Sequence, residues 1–213
     1  MTAKPTTERR GAPHQERSRE TVELILSAAA ELLEEVGFEK ISTNQICKRA
    51  KLTPPALYRY FPNKYAVLKE LGERLMARQN ALLRDRPSGD RQSESFESQI
   101  KHLLAETIRV TRETPAGGWI MRSLHATPIL ADVRRRSHRD MARLLTEQSM
   151  PIWPGLNANQ AFTTNRMNIE LGYALVEMVF DEPELDEQEL IRQTASMMAH
   201  NIELLLGQAK TGA

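Results

Sequence analysis

The sequence predicts an all-α protein, on three observations. Apolar residues recur at spacings of three and four in one segment after another, as the 3.6-residue helical period requires. Aromatic residues make up only 5% of the chain, while leucine, alanine, methionine and isoleucine are plentiful, a balance that favours helix over sheet. No segment alternates apolar and polar residues as a half-buried strand does.

The 213 residues fit one or two domains. With 40% apolar and 27% charged residues, the composition is that of a folded soluble protein, not a disordered one. No apolar run approaches the roughly 18 residues of a membrane span. The N-terminal stretch MTAKPTTERRGAPHQERSRE holds no apolar segment of the kind a secretory signal needs. The lone cysteine, Cys47, excludes an internal disulfide framework and a cysteine-based zinc cluster. The expectation is a cytoplasmic, helical protein without metal, cofactor or membrane partner.

Residues 1–16 are polar, contain Pro5, Gly11 and Pro13, show no periodicity, and read as a mobile tail. From about Arg17, Val22, Ile25, Leu26, Ala29, Leu32, Leu33 and Val36 form the stripe of a first helix, stopped by Gly37 as a left-handed C′ residue. A second, short helix starts at Ser42-Thr43-Asn44-Gln45. Ser42 with Gln45 fits a capping box, and Thr43 is an equally good N-cap. Thr53-Pro54-Pro55 is the start signal of a third helix, reaching Phe61 and ended by Pro62. Asn63 caps a longer helix carrying Val67, Leu68, Leu71 and Leu75, broken by Pro87-Ser88-Gly89-Asp90.

The remainder is helical as well. Phe96, Ile100, Leu103, Leu104, Thr107 and Thr111 make one stripe, ended at Thr114–Gly118, and a short segment follows over Trp119–His125. Pro128 opens a helix with Leu130, Val133, Met141, Leu144 and Leu145. Two long helices close the chain, over about Asn157–Asp181 and Asp186–Leu206.

Charge is asymmetric within a chain of net +1. From Lys40 to Lys64 stand Lys40, Lys48, Arg49, Lys51, Arg59 and Lys64, with no acidic residue between them. A window of one sign points to a polyanion such as nucleic acid. The same window holds two short helices joined by a turn at Ala50-Lys51-Leu52, the description of a helix-turn-helix, whose second helix enters the major groove by its N-terminal residues. Tyr58, Tyr60 and Arg59 offer hydroxyls and a cation of the kind that phosphates attract. From spacing alone, the two tyrosines fit packing between helices equally well.

The segment from Ile46 to Lys64, ICKRAKLTPPALYRYFPNK, resembles the DNA-binding signature of the TetR (tetracycline-repressor) family, and Ala28-Ala29-Ala30 with Gly37-Phe38 is similar to that family's first helix. The resemblance covers about residues 17–72. It implies a two-domain subunit of about nine helices that forms a homodimer and binds a palindromic double-stranded DNA operator, usually as a repressor released by a small molecule. On that basis residues 17–64 are the DNA-binding domain, 63–85 a connecting helix, and 65–213 the effector-binding and dimerisation domain. Thr43 and Asn44 match positions that meet the backbone and sometimes a base. Thr53, Pro54, Pro55, Ala56 and Tyr58 match groove-reading positions, and Tyr60 and Lys64 match phosphate-holding ones. Leu57 and Phe61 would be core.

Three residues depart from the family pattern. Lys51 stands where glycine is usual, so the turn either suits lysine or carries strain. Cys47 replaces alanine, and Tyr65 replaces an acid. Two prolines and Ala56 leave the recognition helix few bidentate base readers, so sequence choice leans on DNA shape, Asn44 and Thr53. The tail arginines Arg9 and Arg10 are either idle or within reach of the minor groove.

In the last two helices the apolar arc is too wide for one face, which is the pattern of helices buried on two sides, one of them against a two-fold partner. Val176, Phe180, Met197, Met198, Asn201 and Leu205 are the candidate dimer contacts. Trp119, Met121, Leu124, His125, Phe162, Met167 and Tyr173 are the candidate lining of a pocket for a mainly apolar effector.

Enzyme readings find no support. The histidines His14, His102, His125, His138 and His200 lack metal spacing, and no nucleophile elbow or phosphate-cradling glycine loop occurs. Cys47 reads as a buried structural thiol, and Arg134, Arg135, Arg136, Arg139 and Arg143 as a solvated helix face. The expectation is a transcriptional regulator, the alternative an effector-independent architectural DNA-binding protein of the same fold.

Overall fold

The computed structural model describes residues 16–84 and 94–211. Among them the chain forms nine helices and no strand: α1 (Glu16–Lys40), α2 (Thr43–Ala50), α3 (Pro54–Tyr58), α4 (Lys64–Arg84), α5 (Phe96–Glu113), α6 (Gly117–Ala126), α7 (Ala131–Ser149), α8 (Ala158–Asp181) and α9 (Glu187–Thr211). The tail expected over residues 1–16 and the break at Pro87–Asp90 lie almost wholly outside the described residues, Glu16 alone being included, as the first residue of α1. No helix among the described residues is long and apolar enough to cross a membrane.

Local chemistry accounts for the helix ends. The Ser42 hydroxyl accepts from the Gln45 amide at 3.3 Å and donates to the Gln45 side chain at 2.8 Å, so Ser42 and not Thr43 is the N-cap of α2. Asn63 caps α4 by accepting from the Ala66 amide, and Asn157 and Asp186 do the same for α8 and α9. Gly37 has φ 73 and ψ 172, a positive φ as expected but with an extended ψ, a region open in practice to glycine alone. The recognition helix is shorter than the sequence suggests: α3 ends at Tyr58, and the amides of Arg59 to Phe61 donate to the carbonyls of Pro55 and Leu57 in the turn that follows. The last helix runs beyond Leu206, to Thr211.

Two compact units result. The first consists of the described residues up to Ala77 together with Thr111–Arg134, and in it α1 packs on α2 and α6, and α2 on α3. Its core holds Ile25, Ala29, Leu33, Ile46, Leu57, Phe61, Val67 and Leu75, all fully buried. Burial of each large aliphatic or aromatic side chain here is worth about 1.5–3 kcal/mol. A residue from the second half of the chain completes this core: Leu124 of α6 is 0% exposed, and a Cβ on Gly72 of α4 would stand 2.7 Å from its Cδ2. The missing side chain at Gly72 leaves the room that Leu124 occupies.

The second unit is Arg78–Val110 with Arg135–Ala213. Here α8 and α9 form the principal helix pair. The buried Asn168 donates to the Met198 carbonyl at 3.0 Å and accepts from Asn201 at 2.8 Å, fixing the register of α8 against α9. His138 of α7, 5% exposed, meets Glu170 of α8 at 2.6 Å and stands edge-on to the Tyr173 ring.

Candidate nucleic-acid interface

The helix-turn-helix is built as its sequence requires. Leu57 and Phe61 are both 0% exposed and anchor α3, so the opposite side of that helix faces outward. Thr53, Pro54 and Pro55 are exposed there, with Ala56 half-buried, and Asn44 at the start of α2 is exposed as well. Thr53 makes no side-chain cap bond, which leaves its hydroxyl out of the helix's own hydrogen bonding. The α2–α3 turn passes through Lys51 at φ 54 and ψ 39, a left-handed lysine. That settles how the chain manages without the usual glycine: the turn keeps glycine-type geometry and lysine adopts it.

The tyrosines divide. Tyr58 is 38% exposed, and its hydroxyl lies 3.0 Å from that of Thr43, which ties the end of α3 to the first turn of α2. Tyr60 is 8% exposed, so its ring is core, with Arg59 5.8 Å above it and its hydroxyl accepting from Ser18 at 3.0 Å.

The cationic window is less uniform in space than in sequence. Arg49 is clamped by Glu35, at 2.8 and 2.6 Å, and by Glu31, at 3.0 Å, both on α1. The Arg49 guanidinium in turn holds the Glu35 carboxyl below its ordinary range. Lys64 folds back, its ammonium donating to the carbonyls of Phe38 and Glu39 at 3.2 Å each. It lies 5.0 Å from the Phe38 ring centroid and 5.6 Å from that of Tyr65. Burial lowers its pKa, with Glu39 opposing. The Tyr65 departure thereby has a physical role, as one wall of a cation–π cradle for Lys64. Lys40, Lys48, Lys51 and Arg59 remain exposed. Cys47 is 4% exposed, and burial pushes its thiol pKa up, as suits a structural residue.

The residues expected in the second half are distributed differently. Trp119, Met121, Leu124 and His125 belong to the first unit, and Phe162, Met167 and Tyr173 to the second. Met121 and Leu124 are buried core, the Trp119 ring rests against Gly37, and His125 and Met167 are exposed. Among the expected dimer contacts, Val176, Met198 and Leu205 are buried within their own chain, Phe180 and Asn201 are half-buried, and only Met197 is exposed. The outward apolar side chains are instead Met167 and Met178 of α8 and Met197 and Leu204 of α9, between 40% and 56% exposed. An open groove of about 390 Å³ runs along this face, lined by Thr163, Thr164, Met167, Asn201, Leu204 and others. A wide apolar arc hides from the sequence which of two adjacent positions turns inward. Among the described residues, no cluster of three or more histidine, cysteine or acidic side chains is placed to hold a metal.

Residues 25–71 match the family model of bacterial regulatory proteins of the tetR family. The chain is 26% identical over 202 residues to an HTH-type transcriptional regulator of Mycobacterium tuberculosis, covering 87% of this chain and 96% of that one. It is 40% identical over 52 residues to the class G tetracycline repressor of Vibrio anguillarum, covering 24% of this chain and 25% of the repressor. Its fold is similar to that of a SmeT–triclosan complex, with TM-score 0.62 and 19% identity over 84% of this chain and 90% of that one. The buried anchors and outward face of the helix-turn-helix agree with these similarities, and residues 25–71 are a DNA-binding segment of the kind found in bacterial regulatory proteins of the tetR family.

Proposed function

We propose that the protein is a homodimeric repressor that holds a palindromic operator in the bacterial cytoplasm and is released by a small, mainly apolar molecule. The observation that carries the reading is the outward presentation of Thr53, Pro54 and Pro55 at the N-terminus of α3, opposite the buried anchors Leu57 and Phe61. Thr53 and Asn44 supply polar contacts to bases, and the prolines supply apolar contact to thymine methyl groups. Thr43, Tyr58, Tyr60 and Lys64 hold the backbone, with Ala56 allowing close approach.

The exposed stripe on α8 and α9 supports a two-fold contact between copies of the chain, which would set two recognition helices a DNA turn, or a multiple of it, apart. Effector release requires that the ligand bind the two head spacings with different affinity. The similarity in fold to SmeT, whose structure holds triclosan, supports such a ligand.

Selection of bound duplexes from random DNA, followed by titration of the winners at two salt concentrations, tests the reading. A palindrome that outcompetes random DNA by about a thousandfold or more supports it. Weak, sequence-blind, salt-sensitive binding overturns it in favour of an architectural protein.

A further inference from the structure

Tyr60 can offer DNA little but its hydroxyl, because its ring is packed away at 8% exposure. That hydroxyl is not alone. The Oγ of Ser18, in the first turn of α1, donates to it at 3.0 Å across 42 positions of sequence. A hydroxyl has one proton to give and two lone pairs to receive with. With Ser18 filling a lone pair, Tyr60 keeps its own proton, and that proton is directed away from Ser18.

We propose that Ser18 is a positioning residue for DNA binding, one that orients the Tyr60 hydroxyl so that it donates to a backbone phosphate. Accepting from Ser18 also polarises the tyrosine O–H, and a polarised donor binds an anionic oxygen more strongly. Arg59, 5.8 Å from the ring centroid, lends a positive charge to the same corner. The proposal rests on Tyr60 being a phosphate contact. It adds that the donor works only as a pair, assembled from the two ends of the DNA-binding unit.

Both groups are neutral, so the pair releases no counterions of its own, and its loss leaves the salt slope of binding unchanged. This separates it from any lysine or arginine contact. Phosphate contact is independent of base sequence, so a labelled duplex of mixed sequence is a sufficient probe.

The test is a double-mutant cycle on the full chain, read by fluorescence anisotropy, with melting temperature measured for every variant. Ser18→Ala is expected to weaken binding about three- to tenfold, with the salt slope unaltered, and Ser18→Thr to restore most of the loss. Tyr60→Phe is expected to weaken binding at least as much, and Ser18→Ala to add little in the Tyr60→Phe background. Should Ser18→Ala lower the melting temperature, Ser18→Cys, nearly isosteric and a weaker donor, takes its place in the cycle. Loss on Tyr60→Phe with none on Ser18→Ala, or an equal loss from Ser18→Ala in both backgrounds, overturns the positioning role and leaves the Tyr60 contact standing. No loss on Tyr60→Phe removes the phosphate contact itself, and the role of Ser18 with it.

Discussion

The Glu34 carboxylate accepts the backbone N–H of Ala116 at 2.8 Å, joining the body of α1 to the residue that caps α6, 82 positions later in the chain. Ala116 is 3% exposed and left-handed, with φ 57, and has no side-chain group with which to cap its own helix. Glu34→Ala leaves that buried N–H without its acceptor and is expected to destabilise the protein by about 1–2 kcal/mol. Glu34→Gln, which retains an acceptor oxygen, is expected to cost less. Urea unfolding of the two variants measures the difference.

Lys51 holds the α2–α3 turn at φ 54 with a side chain that this region disfavours. Lys51→Gly is expected to raise stability by about 1 kcal/mol, the usual cost of a left-handed residue bearing a Cβ. Lys51→Ala removes the same charge but keeps the Cβ, and its unfolding midpoint should stay near that of the parent. Equal midpoints for the glycine and alanine variants would show the turn to be unstrained.

The Glu35–Arg49 pair predicts a pH dependence. Arg49 holds the folded Glu35 carboxyl below its unfolded value, chiefly through the hydrogen bond between them and against the opposing effect of desolvation. Its contribution is therefore present above the ordinary glutamate range and is lost as pH falls through the lowered folded value. Glu35→Gln should melt below the parent at neutral pH, and the gap should close in acid. Both side chains are substantially solvated, so the gap is small and shrinks with added salt. Melting curves from neutral to acid pH, at low and high salt, check both trends.

Lys64 serves α1, since its ammonium holds the carbonyls of Phe38 and Glu39. Lys64→Ala is expected to lower the melting temperature. It is also expected to weaken binding similarly across DNA sequences, with the salt slope reduced by about one. A lowered melting temperature with an unchanged slope would assign Lys64 to the fold alone.

Leu204 is 54% exposed on α9 beside the open groove. Leu204→Glu places a charge in the proposed two-fold contact and is expected to shift the protein from dimer to monomer in sedimentation at micromolar concentration. Ile152→Glu, at a residue 58% exposed between α7 and α8, should leave the dimer intact. Loss of the dimer in both variants, or in neither, would move the interface off this face.

The sequence by itself determined the order of the helices, the cap at Asn63, and the helix-turn-helix with its buried Leu57 and Phe61. Each of these depends on residues within about four positions of one another, because a cap reaches its own first turn and a stripe repeats with the helical period. Only the tertiary structure decided which cations stay exposed. Arg49 is neutralised by acids that lie outside the basic window, and Lys64 is turned back onto α1. It likewise decided that Trp119 and Leu124 pack with the first unit, that Met197 and Leu204 rather than Met198 and Leu205 face outward, and that Ser18 meets Tyr60. Those outcomes depend on which helix lies against which, and the partner that buries a face or receives a proton is supplied by residues tens of positions away.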